Sequence, residues 1–188
     1  MKGFFWYPLL GFIVSLPAIF GFLFSKRLYP IASSINNISL FFHFSFLSFF
    51  IIRAIPDRKN DYFFKIIFGI FFALIALLLV NGNIKKINGL AFATANLGLT
   101  FFCMIYYYRL FINPPIINLR AEPSFWIITG IFFCMALHIP IYATYNYLYK
   151  KITEPNFLLL KSITAFCYTI MHLFFIKAYL CSVHPQKQ

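Results

Sequence analysis

The residues best able to do chemistry within the apolar stretches of this chain are His43, His138, His172 and Lys161. An ionisable side chain set in hydrocarbon is costly, so each is a candidate for function. Imidazole has two uses there. A neutral ring can donate and accept hydrogen bonds, and two rings from facing helices can ligate a haem iron. His43 and His138 fall near the middle of spans that run in opposite directions, so they share a depth to within a turn. His172 lies about six residues deeper, roughly 9 Å at the helical rise. One expectation is therefore a haem held by His43 and His138. The plainer one is that these histidines hydrogen-bond between helices.

Other polar residues line up with the histidines. His138, Tyr142, Tyr145, Asn146 and Tyr149 recur at helical spacing and share one face. Lys161, Thr164, Tyr168 and His172 share a second face, across the short loop 150–156. Asn36, Ser39 and His43 make a third stripe, and Asn96, Thr100, Cys103 and Tyr107 a fourth. All four stripes put their polar groups mainly into one half of the bilayer. The other half, including most of 66–80, is nearly all Phe, Leu, Ile and Ala. One reading is a one-sided polar pocket for a small or lipid-like ligand. Its lining would be His43, Asn96, His138, Tyr142, Tyr145, Asn146, Lys161, Tyr168 and His172. The other reading is a structural subunit of a larger membrane complex, in which the stripes are simple hydrogen bonding between helices, worth well under about 2 kcal/mol per group. Pro140 removes the bond to the Ala136 carbonyl and predicts a kink beside His138.

Holding these side chains in a bilayer takes membrane-spanning helices, and the composition supplies them. Of 188 residues, 62% are hydrophobic and 11% charged, and the mean hydropathy is +0.82. Soluble domains carry about 25% charged residues, so a soluble globule, a nucleic-acid module and a disordered tail are all excluded. A crossing helix needs about 20 mostly apolar residues. The stretches 5–24, 37–55, 63–81, 88–110, 124–147 and 157–181 meet or approach that length. Pro, Gly, Asn and Lys punctuate the short separators. The predicted fold is all-α: one polytopic transmembrane bundle of six spans over residues 1–188. Lys2 ahead of the first span suits a signal peptide. No small-residue cleavage site follows, however, and Pro17 interrupts the run, so retention is expected. Ala91, Thr94, Ala95 and Gly98 form a small-residue face suited to close helix packing.

The net charge of +12 comes from 16 lysines and arginines against Asp57, Asp61, Glu122 and Glu154. The cations sit at the ends of apolar runs, where lipid headgroups account for them and nucleic acid does not. Nine fall on one side of the membrane and seven on the other, which favours cytoplasmic termini and a multi-pass protein of the inner membrane. Cys103, Cys134, Cys167 and Cys181 show no paired spacing, so neither disulfides nor a zinc site is expected. All four carboxylates fall in loops. Proton-coupled transporters and intramembrane hydrolases usually need a buried acid, so the expectation leans away from an enzyme.

Tyr106-Tyr107-Tyr108-Arg109-Leu110-Phe111 is followed, after a short linker, by Pro123-Ser124-Phe125-Trp126-Ile127-Ile128-Thr129-Gly130. This pair of segments resembles a family of small uncharacterised multi-pass membrane proteins of the Bacteroidota. Leu40-Phe41-Phe42-His43 is similar to a histidine-bearing helix earlier in that family. The resemblance covers residues 35–180. Members of the family look like seven-helix bundles, often encoded beside sensor kinases, where this chain has six expected spans. The resemblance implies a sensory or accessory role, with a membrane partner or sensor kinase to receive the signal.

Overall fold

The computed structural model describes residues 29–55, 61–82, 86–112, 119–151 and 154–183. Five long helices run through them: α1 (Tyr29–Ala54), α2 (Asp61–Asn81), α3 (Gly89–Ile112), α4 (Pro123–Lys151) and α5 (Glu154–Val183). A single 3₁₀ turn, Leu119–Ala121, precedes α4. Each long helix contains 20 to 24 residues apolar enough to cross a bilayer. The chain is an integral membrane protein built as an all-helical bundle. The expected span 5–24 lies outside the described residues, so five of the six expected spans are seen.

Local chemistry explains where the helices start and stop. Proline opens α4 and occupies the first turn of α1 and α5, where its missing N–H has no helical partner to lose. Arg53 and Arg109 sit in the last turns of α1 and α3, suited both to the helix dipole and to headgroups. One boundary departs from expectation: α1 begins at Tyr29 rather than at residue 37. Its first turns carry Ser33, Ser34, Asn36 and Asn37, which lower the hydropathy without breaking the helix. Ser33 and Asn37 face inward and are buried.

The centre of the bundle is α3, which packs against α1, α2 and α4, while α5 packs against α4. Lipid tails are as apolar as leucine, so tight van der Waals packing must hold such helices together. The small face of α3 provides it. Ala91 and Ala95 are fully covered, and the Phe44 and Phe71 rings stand 2.9 Å from where a Gly98 Cβ would lie. Phe44, Leu47 and Ile51 of α1, Leu99 and Phe102 of α3, and Ile128, Ile131 and Met135 of α4 fill the core. Outward-facing Phe63, Ile66, Ile70, Leu77 and Val80 leave α2 largely to lipid.

Cross-helix contacts fix the depths. Phe92 stacks on Tyr142 at 5.0 Å, and the Tyr107 hydroxyl donates to Thr129 Oγ1 at 2.9 Å, so α3 and α4 run antiparallel. That register sets Asn96 level with the turn carrying His138. Asn37 meets Asn88 and Phe44 meets Gly98, so α1 runs parallel to α3 and brings His43 to the same level.

Candidate functional site

Two polar clusters occupy the half of the bundle where α1 and α3 begin and α4 ends. Asn88 organises the outer one. It caps α3, its Oδ1 accepting the Ala91 N–H at 3.2 Å. Its Nδ2 donates to the Leu78 carbonyl at 2.6 Å, in the last turn of α2. Asn37 of α1 donates through Nδ2 to the Lys86 carbonyl at 2.9 Å, and its Oδ1 accepts the Asn88 N–H at 3.4 Å. The result is a knot of α1, α2 and α3 in which each asparagine side chain has partners. Sequence reasoning missed both residues. An asparagine directly before the Gly89-Leu90-Ala91 run is a cap signal that could have exposed Asn88.

His138 lies deeper and is 0% exposed. Its Nδ1 is 2.6 Å from the Cys134 carbonyl one turn back. A carbonyl only accepts, so Nδ1 carries the proton and Nε2 keeps its lone pair. That Nε2 is buried with no hydrogen-bond partner among the described residues. Aromatic rings wall it in. Tyr142 stacks at 5.7 Å, and Tyr168 of α5 approaches to 4.8 Å. The Tyr142 and Tyr168 side chains are themselves hydrogen-bonded. Tyr145 continues the wall 6.3 Å from Tyr142. Gly89 makes this packing possible, since a Cβ there would lie 2.5 Å from the Tyr142 carbonyl oxygen.

Asn96 lies on α3 at the level of this layer. It is 5% exposed, and its Nδ2 is a buried donor with no partner among the described residues. Thr100 bonds back to the Asn96 carbonyl at 2.8 Å and does not fill that role. The half-buried His43 lies close enough to His138 for the two rings to interact electrostatically. The layer thus offers an unpaired acceptor, an unpaired donor, a second imidazole and two phenols. By sequence it holds no carboxylate.

Of the expected lining, His138, Tyr142, Tyr145 and Tyr168 form one contiguous group, with Asn96 and His43 at its level. His172 stands apart. Its side chain is exposed on α5, with Nδ1 donating to the Tyr168 carbonyl at 2.6 Å. The side chains of Asn146 and Lys161 lie outside the described set. Two stripe partners turn back on their own helices: Ser39 donates to the Asn36 carbonyl and Thr164 to the Leu160 carbonyl. On α1 the buried polar positions are Ser33, Asn37 and Ser48, not the expected Asn36 and Ser39. Helical phase explains the shift, because the inward face follows Leu40, Phe44, Leu47 and Ile51. Around Pro140 the α4 helix continues without interruption, and Thr144 donates to the Pro140 carbonyl at 2.7 Å.

The opposite half is less uniformly apolar than its sequence suggests. Besides the Tyr107–Thr129 bond, Trp126 Nε1 donates to the Arg120 carbonyl at 2.9 Å, and the Lys177 ammonium sits 5.8 Å from the Trp126 ring centroid. Trp with flanking Lys and Arg is the usual composition of a membrane interface. Among the described residues no group of three or more His, Cys, Asp or Glu could hold a metal ion. Compared with family models, curated proteins and solved structures, the chain matches none.

Proposed function

We propose that this protein is a non-enzymatic sensory or accessory membrane bundle that binds a small or lipid-like ligand at the His138 layer. The observation that carries the reading is the pair of buried, unpartnered polar atoms, His138 Nε2 and Asn96 Nδ2. Buried polar groups almost always find partners, and each orphan calls for an explanation. A ligand that completes both is one. Occupancy would part or tighten the aromatic wall between α4 and α5, with Pro140, half a turn beyond His138, as the pivot. The signal would pass to a membrane partner, a sensor kinase in keeping with the Bacteroidota-like segments. With both termini in the cytoplasm of an inner-membrane protein, the polar half would face outward.

The test is a pair of melting curves. An extract of polar lipids and metabolites should raise the melting temperature of the detergent-purified protein. It should leave the folded double variant His138→Leu, Tyr142→Phe unmoved. Equal shifts in both proteins overturn the reading.

A second reading, a haem-binding electron-transfer subunit, is favoured by one feature. His138 has its Nδ1–H bonded to a carbonyl and its Nε2 bare, the tautomer a metal-ligating histidine adopts, and His43 is its neighbour. It predicts a Soret band in the purified protein that shifts with dithionite and disappears in His43→Ala. A colourless, monodisperse preparation removes it.

A further inference from the structure

Resting on the ligand-site reading above, we propose that His138 and Asn96 seat the hydroxyl of a neutral, lipid-soluble phenol or hydroquinone. The argument is one of matching valences. His138 Nε2 has a lone pair and no donor, and Asn96 Nδ2 has protons and no acceptor, at one level of two facing helices. A hydroxyl satisfies both at once, donating to Nε2 and accepting from Nδ2. A carboxylate can only accept, so it leaves Nε2 bare and brings a charge into a layer with no carboxylate-pairing cation among its described side chains. An ammonium can only donate, so it leaves Nδ2 bare. A hydrocarbon leaves both.

Depth and walls narrow the class further. His138 lies seven residues inside the end of its crossing stretch at Tyr145, about 10 Å at the helical rise. A ligand reaching that depth through the bilayer must be neutral and lipid-soluble. The walls are Tyr142 and Tyr168, 5.7 and 4.8 Å from the His138 ring, and Phe92, 5.0 Å from Tyr142, the spacings of offset and tilted ring packing. A planar aromatic ring inserts into such a wall more readily than a branched aliphatic one. His138 is wholly covered, so the rings of Tyr142 and Tyr168 must move apart to admit a ligand.

The probe is an alkyl-tailed hydroquinone, kept reduced, titrated into the full chain in lipid nanodiscs with ¹⁵N-labelled histidine. The His138 Nε2 resonance should move saturably toward its hydrogen-bonded position with the hydroquinone and stay put with its dimethyl ether. Asn96→Leu should weaken hydroquinone binding roughly tenfold, the equivalent of one neutral hydrogen bond. If the ether works as well as the hydroquinone, the hydroxyl assignment is wrong. If an alkyl alcohol of equal tail length binds as tightly, the aromatic assignment is wrong. In both cases a movement at His138 leaves the ligand site itself standing. If none of the three compounds moves the resonance, the proposal falls, and the melting-curve test decides separately whether the ligand site falls with it. Unchanged affinity in Asn96→Leu removes Asn96 from the seat.

Discussion

The Asn37–Asn88 knot, partly buried, and the His138–Asn96 layer, buried, are both polar and in the same half of the bilayer, yet their hydrogen bonding differs. In the knot each asparagine is answered: a cap, a helix-end carbonyl and a loop carbonyl take up its donors and acceptors. In the layer, one donor and one acceptor are left over at the same depth. The knot explains itself as a tie between α1, α2 and α3. Leftover atoms do nothing for stability, because a buried polar group without a partner destabilises the fold by roughly 1–3 kcal/mol. Two polar clusters of similar composition can thus differ in purpose, and satisfaction of their valences is what separates them.

The largest effect should come where the two clusters touch, at Gly89. Glycine to alanine inside a helix ordinarily stabilises by about 1 kcal/mol. Here the added Cβ would meet the Tyr142 carbonyl oxygen at 2.5 Å and Tyr145 Cβ at 2.9 Å. Neither is the far end of a flexible side chain. Overpacking of that kind typically costs about 1–3 kcal/mol, so Gly89→Ala should be destabilising by up to about 2 kcal/mol net, with the α3–α4 contact loosened. Unfolding in a denaturing detergent measures it, and a stabilised variant would show that the helices are not this close.

Asn88→Ala comes next. It deletes the cap and the bond to Leu78 while sparing the backbone donor to Asn37. A lost cap costs about 1 kcal/mol and a lost interhelical bond in a membrane about 0.6, so a loss near 1.6 kcal/mol is expected. Ligand binding at the His138 layer should be little changed, because the knot is a tie and not a lining. A variant that unfolds normally but loses binding would break the distinction between the clusters.

Much of this architecture is written in the apolar runs. Five helices lie where runs of about 20 residues placed them, because in hydrocarbon a helix must satisfy its own backbone and length alone selects it. The α4 stripe was legible too: His138, Tyr142 and Tyr145 share a face by spacing, and their rings do form one chain. Less legible was α1, where one position of phase separates Asn36 from Asn37 and decides which of them is buried. In a helix apolar nearly all round, hydropathy cannot set that phase; the close approach of Phe44 to Gly98 does. Exposure of His172 was equally hidden, since the buried face of α5 follows Cys167, Met171 and Ala178 and His172 lies one position off it. Knot and layer could not be told apart either. Which bonds an asparagine completes depends on loop carbonyls such as that of Lys86, brought near only by the fold.

The smallest effect on stability is the most informative, because its sign should reverse. His138→Phe keeps a planar ring of similar size among Tyr142 and Tyr168 and removes the unpaired Nε2. The bond it loses is the local one to the Cys134 carbonyl, which the backbone N–H one turn on can still reach in a regular helix. Removing an unsatisfied buried atom should therefore offset the lost bond, leaving the ligand-free protein as stable as before or up to about 1 kcal/mol more so. Denaturation in the same detergent system measures this. Asn88→Ala and His138→Phe then move in opposite directions: the first weakens the fold and keeps the ligand, the second keeps the fold and loses it. Should His138→Phe destabilise by as much as Asn88→Ala, Nε2 has a partner after all. His138 would then be a tie between helices, as Asn88 is, and the contrast between the two clusters would disappear.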